Sequence, residues 1–222
     1  IIYSDRLQEK YDPQFDETGR DCLERLRRAG VRMKTVIEDL LMFSKISAKE
    51  LTFERVDLAE TMEEILADLE LKISQSKAKI QIGKLPILNA NKSQIRHLFQ
   101  NLLQNALKFS KKDQAPDIVI DSETKDGLAL VRVKDDGIGF DEKYSESIFK
   151  MFQRLHPQHE YEGSGIGLSI CQKIVHQHGG RISVKSQPDR GAVFTVALPL
   201  FDPSAKGAHK NGAVAAEHLS TA

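Results

Sequence analysis

The stretch Asn91-Lys-Ser-Gln-Ile-Arg-His-Leu-Phe-Gln-Asn101-Leu-Leu-Gln-Asn105-Ala-Leu-Lys108-Phe109 decides how the rest of the chain is read. Asn91 followed by Gln94 has the capping-box form that opens a helix. Ile95, Leu98, Phe99, Leu102, Leu103 and Ala106 recur at steps of three and four, which predicts a helix to about Phe109 with one buried stripe. Asn101, Asn105 and Lys108 stand at i, i+4 and i+7 and share a different face. Two amides and an ammonium converging on one face suit a magnesium phosphate: amide oxygens ligate the hard cation, and lysine neutralises phosphate charge. Taken alone, a solvated polar face has the same pattern.

Downstream, strands are predicted near Asp117–Glu123 and Leu128–Asp135, joined by a tight turn at Lys125-Asp126-Gly127. The second strand runs straight into Asp135-Asp136-Gly137-Ile138-Gly139-Phe140. An aspartate at a strand end can accept a hydrogen bond from an exocyclic amine such as adenine's, and glycines let the backbone pass close beneath a flat base. An ordinary Asp-Gly turn reads the same way. Gly163-Ser164-Gly165-Ile166-Gly167-Leu168 opens a helix near 165–178, and amides at a helix start suit a phosphate chain. This glycine run follows no strand and lacks a Gly-Lys-Ser/Thr ending, so neither a Rossmann fingerprint nor a Walker loop fits. Gly179-Gly180 ends the helix, and strands near 181–186 and 192–199 form a closing hairpin.

Upstream, Thr52–Val56 is a predicted strand and Asp57 the N-cap of a helix through about Ser76. Residues 78–82 alternate like a strand, and 86–89 are a brief extended piece. Before them a long helix is predicted from about Asp16 to Ile46. Its Leu23, Leu26, Gly30, Met33, Ile37, Leu40 and Ser44 form a heptad seam, and Val36, Leu41 and Phe43 widen the apolar face to suit a helical bundle. Asp12-Pro13 separates this helix from an opening stretch, Ile1–Tyr11, with Ile2, Leu7 and Tyr11 near helical spacing. Residues 202–222 have no usable period and are expected to be a disordered tail. The domain division is therefore 1–50, a partial helical hairpin; 51–201, an α/β domain; and 202–222, the tail.

Composition narrows the function classes. Of 222 residues 40% are hydrophobic, enough for one sizeable core and too many for a disordered chain. The 32 basic and 32 acidic residues cancel, so no global field draws the protein to nucleic acid or anionic lipid. Cys22 and Cys171 make no disulfide framework and read as small buried hydrophobes. No apolar run approaches the roughly 20 residues of a membrane span, and the residues given do not read as a signal peptide. The chain starts at Ile1 in mid-pattern, as a piece of something longer would.

The three motifs, in this order, resemble the catalytic ATP-binding domain of sensor histidine kinases, over about Asp57 to Leu200. Ile148-Phe149-Lys150-Met151-Phe152-Gln153-Arg154-Leu155-His156 is similar to that family's phenylalanine box. The preceding helical region resembles its dimerisation and phosphoacceptor hairpin, mostly the second helix, and the wording around Phe152–His156 is similar to bacterial phytochrome-like kinases. The resemblance implies an α+β fold, a two-layer α/β sandwich in which a mixed sheet of about five strands is covered on one face by three helices. It implies ATP and Mg as ligands, with Asn105 the main metal ligand and Asn101 assisting. Lys108 then meets phosphate, Asp135 reads the adenine amine, and Gly137 and Gly139 lie beneath the base. Gly163, Gly165 and Gly167, with Leu168, line and hinge a lid spanning about 141–162. Phe149 and Phe152 anchor that lid, and Arg154 reaches the terminal phosphate.

As implied partners it brings a second copy of the chain through the hairpin and a cognate response regulator, with no nucleic acid and no membrane segment, in the cytoplasm. The expected activity is protein-histidine kinase, passing phosphate from ATP to a histidine and on to a regulator's aspartate. The alternatives are another ATPase of the same fold and a non-catalytic dimer scaffold. One departure is Ala192, where related ATPases often carry a threonine that helps hold adenine. The other is that the first histidine is His97, so the phosphoacceptor is expected upstream of Ile1. Incubating this chain with γ-labelled ATP should leave it without acid-labile label; stoichiometric labelling would contradict that expectation.

Overall fold

The computed structural model describes residues 2–48, 52–155, 161 and 163–201. The expected tail and part of the expected lid (156–160 and 162) lie outside the described residues. Two helices come first, α1 (Ile2–Tyr11) and α2 (Glu17–Ala48). A 3-10 turn at Asp12–Gln14 carries the proline that separates them. Asp16 accepts a hydrogen bond from the amide of Gly19 at 2.7 Å, satisfying one of the orphan donors at the start of α2.

The seam of α2 points away from the rest of the chain: Leu26, Met33 and Ile37 are 62%, 63% and 57% exposed. Val36 and Phe43 do not widen that seam as expected. Together with Met42 they pack on the core of the following unit, while Leu41 stays exposed. A helix of 32 residues has room to serve neighbours on more than one face. Cys22 corrects another expectation: it is exposed, whereas Cys171 is fully buried.

The α/β unit contains β1 (Glu54–Asp57), α3 (Leu58–Asp68), α4 (Glu70–Ser76), β2 (Lys79–Ile82), β3 (Ile87–Ala90) and α5 (Lys92–Lys108). It continues with β4 (Asp117–Lys125), β5 (Leu128–Asp135), α6 (Gly167–Gln177), β6 (Arg181–Ser186) and β7 (Ala192–Pro199). The main sheet has the order β2-β4-β5-β7-β6, with β2 parallel to β4 and every other pair antiparallel. β1 and β3 form a separate antiparallel pair, so the predicted strand near 52–56 does not join the main sheet. The predicted helix over 57–76 is broken at Leu69, whose side chain is buried, and α4 closes on Lys77 in the left-handed conformation (φ 54°). Asp126 (φ 52°) and Gly127 (φ 74°) make the two-residue β4–β5 turn, whose twist matches the strands it joins.

One face of the sheet alternates inward: Ile118 and Ile120 on β4, Ala129, Val131 and Val133 on β5, Phe194, Val196 and Leu198 on β7. Onto it pack the apolar stripes of α3 (Met62, Ile65), α5 (Ile95, Leu98, Phe99, Leu102, Leu103) and α6 (Ile170, Ile174, Val175). The fold is a two-layer α+β sandwich preceded by a long helix. Truncating one of the fully buried leucines to alanine costs about 2–5 kcal/mol in such a core.

The capping box of α5 forms only by half. Asn91 accepts from the amide of Gln94 at 3.1 Å, but its own amide donates to Nε2 of His178 at 3.0 Å instead of to the Gln94 side chain. His178 is 3% exposed, and its Nδ1 lies 2.7 Å from the carbonyl of Ile174. That pair of partners requires a neutral ring with the proton on Nδ1. His178 is therefore not a cation placed against the C-terminal end of α6. Burial holds its pKa below the usual histidine value. The unfolded chain then takes up a proton that the folded chain refuses, so His178 contributes stability above about pH 6.5 that is lost as pH falls. Thermal melting should show a Tm that drops between pH 7.5 and 5.5. His178→Gln should flatten that slope without abolishing it, because burial lowers the His97 pKa in the same direction.

Candidate functional site

Asp135 follows from the alternation of β5: it is the next inward position after Val133, at the point where the sheet ends. The residue is 8% exposed, and its Oδ1 accepts from the amides of Gly137 (2.9 Å) and Ala192 (3.2 Å). Desolvation raises its pKa above the usual aspartate value, and the two amides work against that rise. Neither amide takes Oδ2, and Asp135 lines a cleft of about 1190 Å³. Asp136 points elsewhere, accepting from the Asp117 amide at 2.9 Å and the Gln114 side chain at 2.6 Å.

The glycines after Asp135 are required by the protein's own backbone. A Cβ on Gly137 would lie 2.4 Å from the carbonyl of Phe109, and one on Gly139 would lie 2.1 Å from that of Gln187. Ile138 and Gly139 line the cleft, and the amide of Ile138 donates to Phe109 at 2.9 Å. This turn is thereby tied to the end of α5.

Asn101, Asn105 and Lys108 all line the same cleft. Nδ2 of Asn105 donates to Oδ1 of Asn101 at 3.2 Å, which leaves Oδ1 of Asn105 outside that bond. Among the described residues no group of three or more His, Cys, Asp or Glu could hold a metal. A pair of amide oxygens fits Mg²⁺, which keeps waters and phosphate oxygens around one or two protein ligands. Nζ of Lys108 stands 4.4 Å from the centre of the Phe109 ring, and a Cβ on Gly163 would be 2.9 Å from that ammonium.

Gly163, Gly165, Gly167 and Leu168 also line the cleft, opposite α5. A Cβ on Gly167 would meet the Asn101 carboxamide at 2.5 Å, so the start of α6 rests on that amide. Phe149 is buried and holds its segment to the core, but Phe152 does not. Phe152 is 57% exposed at φ 61°, a left-handed conformation costly for an aromatic residue, and it lines the cleft. Arg154 also lines the cleft, and its guanidinium donates to the carbonyls of Tyr161 and Gly163, so it clasps the glycine loop.

Sequence reasoning missed what α2 brings. Arg32, Thr35, Val36 and Asp39 line the cleft, and Asp39 accepts a hydrogen bond from the hydroxyl of Ser164 in the glycine loop. Their spacing, i, i+3, i+4 and i+7, was available as a signal, but the heptad seam is the stronger pattern. His97 of α5 lies within the field of Asp39. Burial lowers its pKa, the Asp39 charge opposes that shift, and its Nε2 has no hydrogen-bond partner among the described residues.

Residues 90–202 match the family described as histidine kinase-, DNA gyrase B-, and HSP90-like ATPase. The phytochrome-like protein Cph1 of Synechocystis sp. is 36% identical over 200 residues, covering 89% of this chain and 26% of that protein. The chain thus spans about a quarter of the length of that curated relative. Among solved structures, the nucleotide-free catalytic domain of histidine kinase ThkA is 28% identical with a TM-score of 0.59, covering 68% of this chain and 97% of that one. Full-length ShkA in complex with AMPPNP shares the fold with a TM-score of 0.67 at 23% identity, covering 84% of this chain and 40% of that one. Five-stranded mixed sheet, glycine loop and matched residues agree, and the chain belongs to the histidine kinase-, DNA gyrase B- and HSP90-like ATPase family.

Proposed function

We propose that this chain is the kinase core of a two-component sensor, binding Mg-ATP and delivering its γ-phosphate to a histidine, from which it passes to a response regulator's aspartate. The observation that carries this reading is that Asn105, Asp135 and the 163–168 loop, far apart in sequence, line one cleft. Asp135 accepts from the adenine amine, while its Oδ1 is held by the Gly137 and Ala192 amides. Ala192 offers its amide to Asp135 and no hydroxyl to the base. Asn105, with Asn101 beside it, would hold Mg²⁺, which when bound neutralises charge across neighbouring phosphate oxygens. Lys108 adds a positive charge against the glycine loop, whose backbone lies where a phosphate chain can follow it. Phosphoryl transfer needs little covalent chemistry from the protein, so positioning and charge are what these residues contribute.

A second copy of the chain is the proposed partner for the exposed Leu26-Met33-Ile37-Leu40 seam. Among the described residues no helix is long and apolar enough to cross a membrane. Another ATPase of the family remains the alternative reading. The long helix with a heptad seam ahead of the ATP-binding unit favours the kinase.

Calorimetry with Mg²⁺ and ADP or ATP should show binding, and its absence with both would overturn the reading. Asp135→Asn keeps an oxygen for the two amides but turns an NH₂ toward the adenine amine, so affinity should fall roughly 10- to 100-fold while the melting curve changes little. Normal affinity in that variant would remove the adenine assignment. In sedimentation, Leu26→Asp combined with Ile37→Asp should give monomers at concentrations where the parent chain is dimeric, because an unpaired carboxylate on an apolar seam is costly to bury.

A further inference from the structure

Helix α2 does more than border the cleft. Asp39 accepts from the Ser164 hydroxyl, and the Ser164 Oγ in turn accepts from the amide of Ile166 at 3.2 Å. The glycine loop that faces the proposed phosphate chain is therefore already engaged by a carboxylate. Beyond the cleft α2 is fastened again. Nζ of Lys173 donates to the Phe43 carbonyl at 2.9 Å and sits 3.5 Å from the centre of its ring, and the Gln177 amide donates to the carbonyl of Ile46. Ile46 is buried at that junction.

We propose that Asp39 is an internal anion that competes with nucleotide phosphate for the 163–167 loop, latching α2 across the empty cleft and letting go when nucleotide enters. This rests on the nucleotide reading above. Among the described residues the cations that line the cleft are Arg32, Lys72, Lys108 and Arg154, and the loop itself is contacted by the last two. Arg154 is committed to the carbonyls of Tyr161 and Gly163, and Lys108 lies against Gly163. A polyphosphate entering beside Asp39 brings several negative charges into a cleft whose lining already includes that carboxylate. Like charges at such range in a partly solvated cleft repel by enough to change affinity about three- to tenfold. The same coupling works in reverse: a bound nucleotide weakens the hold of Asp39 on Ser164 by the same factor. The latch thus ties occupancy of the cleft to the freedom of the helix that carries the seam.

Calorimetry with AMPPNP and Mg²⁺ on the parent chain, Asp39→Asn and Lys173→Ala separates the possibilities. Asp39→Asn should bind roughly three- to tenfold tighter. Lys173→Ala should also bind tighter, because it loosens α2 from outside the cleft. Hydrogen exchange of the α2 amides around Asp39 should quicken several-fold in the parent chain when AMPPNP binds, and should change little in Asp39→Asn. Equal or weaker binding by Asp39→Asn beside normal binding by the parent, or α2 exchange in the parent indifferent to AMPPNP, would overturn the latch alone. Absence of binding by every variant would remove the nucleotide reading and the latch with it.

Discussion

A carboxylate buried at the end of the central strand governs the geometry around it. Removing Asp135 from water is unfavourable, and two backbone amides offset part of that cost. To supply them, the chain after β5 must turn back at Gly137, and the start of β7 must lie alongside. That approach leaves no room for a side chain at Gly191, where a Cβ would stand 2.0 Å from the carbonyl of Asp135. The same turn binds Ile138 to the end of α5, bringing Asn105 and Lys108 to the cleft that Asp135 lines. The end of the central strand thus sets the positions of β7, the turn and the last turn of α5.

The long helix α2 reconciles two demands by dividing its surface. The seam through Leu26, Met33 and Ile37 is left to solvent, while Val36 and Phe43 pack inward and Asp39 reaches the glycine loop. The inward face is held by contacts of mixed strength: a buried isoleucine, a cation over an aromatic ring, and hydrogen bonds to carbonyls. Single contacts of this kind contribute about 0.5–2 kcal/mol each, enough for docking and few enough for release. Coupling the cleft to the seam needs no long pathway, because one helix carries both faces.

Much of the architecture was legible in the chain. The α5 stripe, the β4–β5 turn at Asp126-Gly127 and the order of the three motifs each rest on local rules of period, cap and turn. The break at Leu69 was not legible, because the apolar pattern runs through it and the burial of that side chain is decided by the core it enters. Nor was the separation of β1 and β3 from the main sheet, since pairing partners lie outside any local window. The contacts of Arg154 and the backbone of Phe152 were not legible either, because a motif does not specify them. The guanidinium found carbonyls nearby, and the phenyl ring was carried outward by a left-handed backbone.

By itself the sequence determined which segments become helices and strands, where most of them stop, and which residue types are available for a magnesium phosphate and an adenine. These properties depend on neighbours within a few residues, where side-chain period and backbone preference act directly. Tertiary structure alone decided that His178 completes the cap of α5, that Gly137 and Gly139 yield to protein carbonyls, and that Asp39 meets Ser164. Each of these pairs groups from separate elements, and nothing in one element's own period specifies what the packed core brings opposite it.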